Sequence, residues 1–508
     1  MASPSKSISA TNLYTAKQTR ELDRLAIEEH GIPGAALMKR AGRMAFEVLL
    51  QRWPEAEKIT VFCGGGNNGG DGYVIAGLAA QANIPVVVIA VTDPETLKGD
   101  AYSAYQFAQQ EQVEIHPFSD CIDLSCGVIV DALLGTGMTG EVREPFAMAI
   151  RMINNASREA HLPVLAVDIP SGLCADTGWI LGCAVQAHCT VTFIGGKRGL
   201  YTGKGRQQCG EIVFDDLSVP TEVYSQVASN ILKSSLLDLL RQVPRRPRDA
   251  HKGNHGHCVI VGGNHGLGGA ALMAAQAAAR MGAGMVTLAT KPEHVPAALA
   301  RCPEVMAHGI KNGHDLEPLI AKASVVVIGP GLGQDSWGEQ LWERALRTDK
   351  PMLVDADGLN WLAKQRYDVA KRDNWVLTPH PGEASRLLGT DTVTVQRDRY
   401  AAVKRLQASF GGTVILKGSG TVVKGDGDDI SVITDGNPGM GSGGMGDVLS
   451  GIIASLLGQK IPNAPLLGAV LHAAAADMAA DENGERGLLA TDLILYARQL
   501  LNNSEISL

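Results

Sequence analysis

Along the chain, short runs of β-branched and aliphatic residues alternate with Ala- and Leu-rich stretches of helical length, and Gly-rich turns separate most pairs. This pattern predicts parallel βαβ construction, because strands buried on both faces read as continuous apolar runs and parallel neighbours need a crossover helix. The first-half strands are expected near residues 58–63, 85–91, 127–131, 163–168 and 189–194. Those of the second half are expected near 257–262, 285–289, 324–328, 351–355, 375–378 and 413–416. Between the halves, residues 241–254 read RQVPRRPRDAHKGN, with two prolines, five basic residues and no apolar periodicity. Such a stretch marks a domain boundary. The expected division is 1–238 and 239–508, both α/β. No repeat of 20 to 50 residues is present, which excludes solenoids and propellers.

Composition narrows the function classes. At 508 residues the chain exceeds one common domain. Its 59 glycines, with only 5% aromatics, point to tight turns and backbone-lined ligand sites. A formal charge of −8 argues against nucleic acid as a partner, since that grip needs many phosphate-neutralising cations. The apolar runs, such as IPVVVIAV from Ile84, have strand length, well short of the ~20 residues of a membrane helix. No membrane partner is expected. The first residues lack an apolar, secretory-like segment, and nine scattered cysteines form no CxxC pair. Both features suit a reducing cytoplasm.

The first-half chemistry starts at Lys58–Gly72, KITVFCGGGNNGGDG, followed by the helix-like YVIAGLAAQA. A strand, a Gly-rich turn and a helix N-terminus make an anion site, because unpaired N–H groups and the positive end of the helix dipole point at the ligand. Gly64, Gly66 and Gly69 fit GxGxxG, and Asp93 stands after the next strand, where a ribose-binding acid belongs. The competing reading is a Gly-rich turn without ligand. DALLGTGMTGE from Asp131 and VDIPSG from Val167 also end apolar strands in acids. Strand carboxyl ends form the ligand crevice of open α/β sheets, so Asp71, Asp131 and Asp168 are expected to converge, although an Asp at a strand end often only caps its turn. Oxygen donors from Asn68, Asp131 and Ser171 suit a hard cation.

NNGGDG, DALLGTG, VDIPSGLCADTG and TVTFIGGKRGLYTGKG together resemble the epimerase domain that acts on hydrated NADH and NADPH, over about residues 12–235. The resemblance implies a Rossmann-like three-layer α/β/α domain. It implies hydrate contacts by Asn67, Asn68, Gly69, Gly70, Asp71, by the turn Gly135, Thr136, Gly137, Met138, Thr139, Gly140, Glu141, and by Asp168. It also implies potassium ligation by Asn68, Asp131 and Ser171. Thr136–Thr139 lacks the basic residue that many relatives carry near this turn. Inversion at the hydroxyl-bearing carbon needs a proton shuttle, and Asp168 is the candidate. Loss and return of water, or ring opening, both remain open.

In the second half, NPGMGSGGMGDVLSGIIASLLG runs from Asn437 to Gly458. Its glycines precede an apolar helix and aim backbone donors at a phosphate, with Asp447 in the first turn. Asp447 is expected to take a hydroxyl proton while the anion hole receives charge; a mere dipole partner is the alternative. Lys417, at the end of TVILKGSGTVV, is expected to contact a nucleotide phosphate rather than face solvent. His380, between two prolines in LTPHPGE, is either a substrate hydrogen-bonder or a turn-stabilising donor. P-loop and protein-kinase signatures are absent. The histidines of residues 251–270 lack metal-site spacing, with His257 and Cys258 on opposite faces of a strand.

HKG, GGNHGLGGA, VVIGPGLG, VDADGLN, TPHPGE, LKGSGT, NPGMGSGGMGD and GLLATDL occur in an order that resembles the ribokinase-like dehydratase of hydrated NAD(P)H, over about residues 245–500. The whole chain is similar to the bifunctional NAD(P)H-hydrate repair family. The resemblance implies nucleotide (ADP or ATP) contacts by Lys417, Gly418, Ser419, Gly420, Thr421 and Gly446, and hydrate contacts by Ala270, Gly333, His380 and Asp447. Mg2+ is expected with the nucleotide for charge neutralisation, and the chain is expected to be a cytoplasmic homo-oligomer. Two other readings stay open. One is a small-molecule hydroxyl kinase with an N-terminal nucleotide-binding regulatory module; the other makes the first half a non-catalytic binding module.

Overall fold

A computed structural model describes residues 11–364 and 369–502. The chain divides into two compact units, one ending at Leu232 and the other starting at Lys233. Leu236, Leu239 and Leu240 of the helix Leu236–Leu240 are buried in the core of the second unit.

The first unit is built on a seven-stranded sheet in the order Glu114–Pro117, Val86–Ala90, Ile59–Cys63, Val128–Ala132, Val164–Val167, Cys189–Phe193, Glu211–Asp215. Every neighbouring pair is parallel. Helices cover both faces, so the central strands lack polar alternation: in Ile59–Cys63, Val61 joins one core and Phe62 the opposite one. Each such fully buried side chain contributes about 1.5–3 kcal/mol. From Ile59–Cys63 the chain builds outward in one direction and from Val128–Ala132 in the other. The topological switch point, where open α/β sheets bind ligands, therefore lies between those two strands.

The second unit repeats the plan. Its strands belong to a ten-stranded sheet in the order Ile231–Lys233, Ile430–Val432, Val422–Lys424, Thr413–Leu416, Trp375–Leu377, Met352–Val354, Val325–Ile328, His257–Val261, Met285–Thr290, Met306–Gly309, and the division at Leu232 falls within the first of these. The pairs from Thr413–Leu416 to Met306–Gly309 are parallel; Val422–Lys424 pairs antiparallel with both its neighbours. Its switch point lies between His257–Val261 and Val325–Ile328. The two switch points share a device. A Cβ on Gly64 would stand 1.8 Å from the Leu133 carbonyl oxygen, and one on Gly262 would stand 1.9 Å from that of Pro330. Only glycine lets the two loops meet there.

Every strand expected from the pattern is present to within a few residues. The sequence reading missed Glu114–Pro117, Glu211–Asp215, Ile231–Lys233, Met306–Gly309, Val422–Lys424 and Ile430–Val432. Glu114–Pro117 and Met306–Gly309 are edge strands with no buried residue, so no apolar run announces them. The helix after the first Gly-rich turn begins at Asn67, six residues before the apolar YVIAGLAAQA.

Candidate functional site

Two carboxyl-edge sites emerge, one in each unit. In the first, Gly66 caps the helix Asn67–Gln81 without a side-chain bond, so its first N–H groups face outward. Asn67, Asn68, Gly69, Gly70 and Asp71 thus belong to the opening turns of a helix rather than to the preceding loop. Asn68 is buried, and neither its amide oxygen nor its amide nitrogen has a hydrogen-bond partner. Gly135 faces it across 3.3 Å, measured from an added Cβ to the Asn68 Cβ. The rest of that turn, through Thr136, Gly137, Met138, Thr139, Gly140 and Glu141, is largely exposed.

Asp131 is fully buried. Its Oδ1 accepts the Ser171 hydroxyl at 2.6 Å, and its Oδ2 accepts the Ser171 N–H at 2.8 Å. Burial pushes its carboxyl up to about 6, against the lowering pull of the Ser171 bonds. Asn68 thus presents a buried amide without partners near the turn that follows Asp131, whose carboxylate is satisfied by Ser171.

Asp168 follows the strand Val164–Val167 with a φ of 64°, a left-handed backbone that turns its side chain back toward the sheet edge. Its carboxylate is ion-paired with Lys197 and accepts the Phe193 N–H at 3.3 Å. Lys197 is only 1% exposed and also donates to Thr192 Oγ1 and the Phe193 carbonyl. Its strand, Gly196–Lys197, pairs with Leu13–Tyr14 in a two-stranded sheet. Two more acids share this field. Burial raises Asp71 well above the ordinary range, with Asp168 and Asp23 adding to it and Lys197 opposing. Asp23 is pushed up to about 6 by burial, with Lys197 lowering it and Asp168 raising it. Asp71 and Asp168 therefore meet electrostatically, whereas Asp131 pairs with Ser171. Lys197 and Asp23 were not anticipated. The GGKRG motif gives Lys197 no acidic partner within reach along the sequence, and Asp23 lies on an amphipathic helix, Ala16–Glu28, where it reads as a solvated charge.

In the second unit, Asp355, Lys417 and Asp447 come from three elements. Asp355 ends Met352–Val354 and is 1% exposed. Its Oδ1 accepts Lys417 Nζ at 2.8 Å and its Oδ2 accepts the Ser450 hydroxyl at 2.9 Å. Glu383 Oε2 lies 4.0 Å from the same Nζ. Burial works against the Lys417 charge, but Asp355 and Glu383 outweigh it and raise its pKa. A Cβ on Gly446 would stand 3.2 Å from Lys417 Nζ and 3.3 Å from Asp355 Oδ2, so the lysine tip lies under the start of the helix Met445–Gly458. Gly444, with a φ of 94°, turns the chain into that helix. Asp447, in its first turn, is pushed up to about 7 by burial, with Asp355 adding and Lys417 opposing. Burial also lifts Glu383 to about 7.

His380 caps the helix Pro381–Leu388. Its Nδ1 accepts the Gly382 N–H at 3.0 Å, and Glu383 returns a bond from the His380 N–H at 2.7 Å. The ring thus stabilises the turn as an acceptor rather than as a donor, and its Nε2 lies 3.4 Å from Glu383 Oε1. Gly418, Ser419, Gly420 and Thr421 follow Lys417; the Thr421 hydroxyl closes this turn on the Gly418 carbonyl. Buried Arg399 supports the turn from below by donating to the Leu416 and Lys417 carbonyls. At the switch point, Ala270 sits in the first turn of Gly268–Arg280, its Cβ 3.3 Å from one added to Gly331. Gly333 donates its N–H to Asp357 Oδ2 at 2.9 Å. Away from both sites, His257 bonds Thr287 Oγ1 and the Lys322 carbonyl, while Cys258 Sγ faces the Ala454 carbonyl. Asp355 and Glu383 were missed. The rule that singled out Asp131 and Asp168, an acid closing an apolar strand, applies equally to Asp355.

With the raised Asp447 acting as a base, turnover by the second unit is expected to fall about tenfold per pH unit below about 7 and to level off above it. A pH profile of kcat/KM checks this; a flat profile from pH 5.5 to 8 contradicts it.

A family described as NAD(P)H-hydrate dehydratase matches residues 258–499, and one described as YjeF-related protein N-terminus matches residues 34–199. A bifunctional NAD(P)H-hydrate repair enzyme of Coxiella burnetii is 48% identical over 494 residues, covering 97% of this chain and 100% of the relative. Its Escherichia coli counterpart is 43% identical over 493 residues, 96% of this chain and 94% of the relative. A ribokinase-like superfamily protein from Enterococcus faecalis superposes with a TM-score of 0.51 at 30% identity, covering 54% of this chain and 96% of its own. The second unit is therefore ribokinase-like, as its motif order implied, and the first has the doubly wound sheet of a Rossmann-like domain. From end to end, with both carboxyl-edge sites in place, the chain belongs to the bifunctional NAD(P)H-hydrate repair enzymes.

Proposed function

We propose that the chain restores hydrated NADH and NADPH in two steps. The first unit, ending at Leu232, interconverts the R and S hydrates. The second, starting at Lys233, dehydrates the S form while ADP is converted to AMP and phosphate. The observation that carries this reading is the pairing of an N-terminal anion helix with Asp168 and, separately, of a Gly-rich helix start with Asp447 and Lys417, in one chain. The kinase alternative does not explain why relatives matched over nearly the full length are bifunctional repair enzymes.

In the dehydratase half, Asp447 takes the proton of the hydrate hydroxyl. The oxygen attacks the β-phosphorus of ADP, and AMP leaves. Phosphate then departs as the ring loses a proton and regains its double bond. Lys417 and the N–H groups of the Gly444–Gly446 start compensate the charge passing through the phosphoryl group. The donors present do not by themselves form a magnesium site: among the described residues no cluster of three or more acids, histidines or cysteines could hold an ion. Mg2+ would arrive with the nucleotide, bound chiefly by its phosphates.

In the epimerase half, Asp168 gives and takes the proton of the hydroxyl borne by the inverting carbon, and Lys197 holds its carboxylate in place. Asp23 and Asp71, both raised chiefly by burial, share the field of Asp168 and Lys197. Asn68, Asp131 and Ser171 would hold K+, whose charge favours the substrate's anionic groups. K+ is then expected to raise the Tm by about 2–4 °C per kcal/mol of binding, and Asn68→Ala to abolish the shift. Thermal melts with and without KCl at constant ionic strength check it; a shift that survives in the variant contradicts it.

The reading includes a cytoplasmic homo-oligomer without nucleic-acid or membrane partners; among the described residues no helix is long and apolar enough to cross a membrane. Incubating the chain with both hydrate epimers, with and without ADP, tests the whole scheme. Full recovery of reduced dinucleotide with stoichiometric AMP supports it. Recovery of only one epimer removes the epimerase, and a stable phosphorylated product removes the dehydratase.

A further inference from the structure

Beyond the anion helix, the carboxyl edge of the first sheet holds a cavity that this chemistry leaves unused. Its volume is about 760 Å³, and Val91, Asp93, Glu95, Tyr105, Pro117 and Phe118 are among its walls. The strands Val86–Ala90 and Glu114–Pro117 end there, so it opens on the same edge as Asp168. It is also next to the Gly-rich loop: a Cβ on Gly65 would stand 2.9 Å from Thr92 Cγ2, one residue before Asp93. In the sheet order, Val86–Ala90 is three strands away from Val164–Val167, which carries Asp168. At the usual spacing that is about 14 Å. A mononucleotide is too short to bridge it. An extended dinucleotide is not, if its pyrophosphate rests at the start of Asn67–Gln81 in between.

We infer that this cavity takes the adenosine half of the hydrate, and that its acidic wall makes hydrated NADH, which lacks the 2′-phosphate, the preferred substrate of the epimerase half. This rests on the epimerase reading above. Phe118 and the prolines offer apolar faces to a purine. Asp93, a wall residue, accepts the Glu95 N–H on Oδ1 at 3.1 Å, and its carboxylate is the acid offered to a ribose hydroxyl. Glu95 Oε1 is held by the Tyr105 hydroxyl at 3.0 Å. Among the described residues no lysine or arginine lines the cavity. A 2′-phosphate carries about −1.5 to −2 charges and would meet two carboxylates with no cation to offset it.

The test follows interconversion of purified R hydrates of NADH and NADPH by the full chain without ADP, so that dehydration is idle. The expected kcat/KM is at least tenfold higher for hydrated NADH, with the difference in KM. In the double variant Asp93→Asn with Glu95→Gln the ratio is expected to fall toward one, chiefly through a lower KM for hydrated NADPH. Its ADP-dependent dehydration, in the other unit, reports that the preparation is intact. Equal rates for the two hydrates in the unmodified chain, or a ratio unmoved in the double variant, overturn the inference. If neither hydrate is epimerised, it is the epimerase reading that falls.

Discussion

Asp447→Asn is expected to abolish ADP-dependent recovery of the reduced dinucleotide while R/S interconversion continues at its normal rate. A positioned base contributes about 10²- to 10⁴-fold, and the amide has no basic oxygen for the hydroxyl proton. The substitution keeps the size of the side chain and removes a charge from the mouth of an anion hole. ADP binding should therefore be unchanged or tighter, so the loss falls on kcat. Following nicotinamide absorbance with AMP release, alongside calorimetric ADP affinity, separates the two effects. Recovery that persists at a tenth of the normal rate or more would remove Asp447 from the chemistry, and Glu383, raised to a similar range, would be the next candidate.

Asp168→Asn is expected to have the mirror-image result: epimerisation falls about 10²- to 10⁴-fold, and only the S half of a hydrate mixture is consumed when ADP is present. Lys197 makes this variant more than a loss of one base. The lysine is buried, and its hydroxyl and carbonyl partners, Thr192 and Phe193, do not neutralise it. Removing the paired charge leaves an ammonium with only the raised Asp23 and Asp71 nearby, so the variant should also melt earlier. Chromatographic separation of the two epimers after timed incubation measures the first effect and a melting curve the second. Unchanged interconversion would mean that the first unit binds the hydrate without acting on it.

Much of the architecture was legible because parallel strands buried on both faces write unbroken apolar runs, as in ITVFC and VVVI. Helix starts could be read from glycines followed by apolar residues, although polar Asn67–Asp71 concealed the first turn of its helix. Edge strands such as Glu114–Pro117 bury nothing and left no pattern. Motif order was enough to indicate the family, and Asp168, Asp447 and Lys417 each lie on a carboxyl edge.

The sequence by itself determined two α/β units, two Gly-rich helix starts and the acids that close apolar strands, because these depend on local pattern. The tertiary structure alone decided which charges surround those acids. Lys197, in a strand that pairs with the distant Leu13–Tyr14 and bonded to Thr192 and Phe193 of the strand beside Val164–Val167, meets Asp168 across 29 positions. Asp355 and Lys417, separated by 62 positions, meet only because their strands end on the same side of one sheet. A carboxylate's protonation depends on everything within a few ångströms, and that neighbourhood is assembled by folding rather than by sequence proximity.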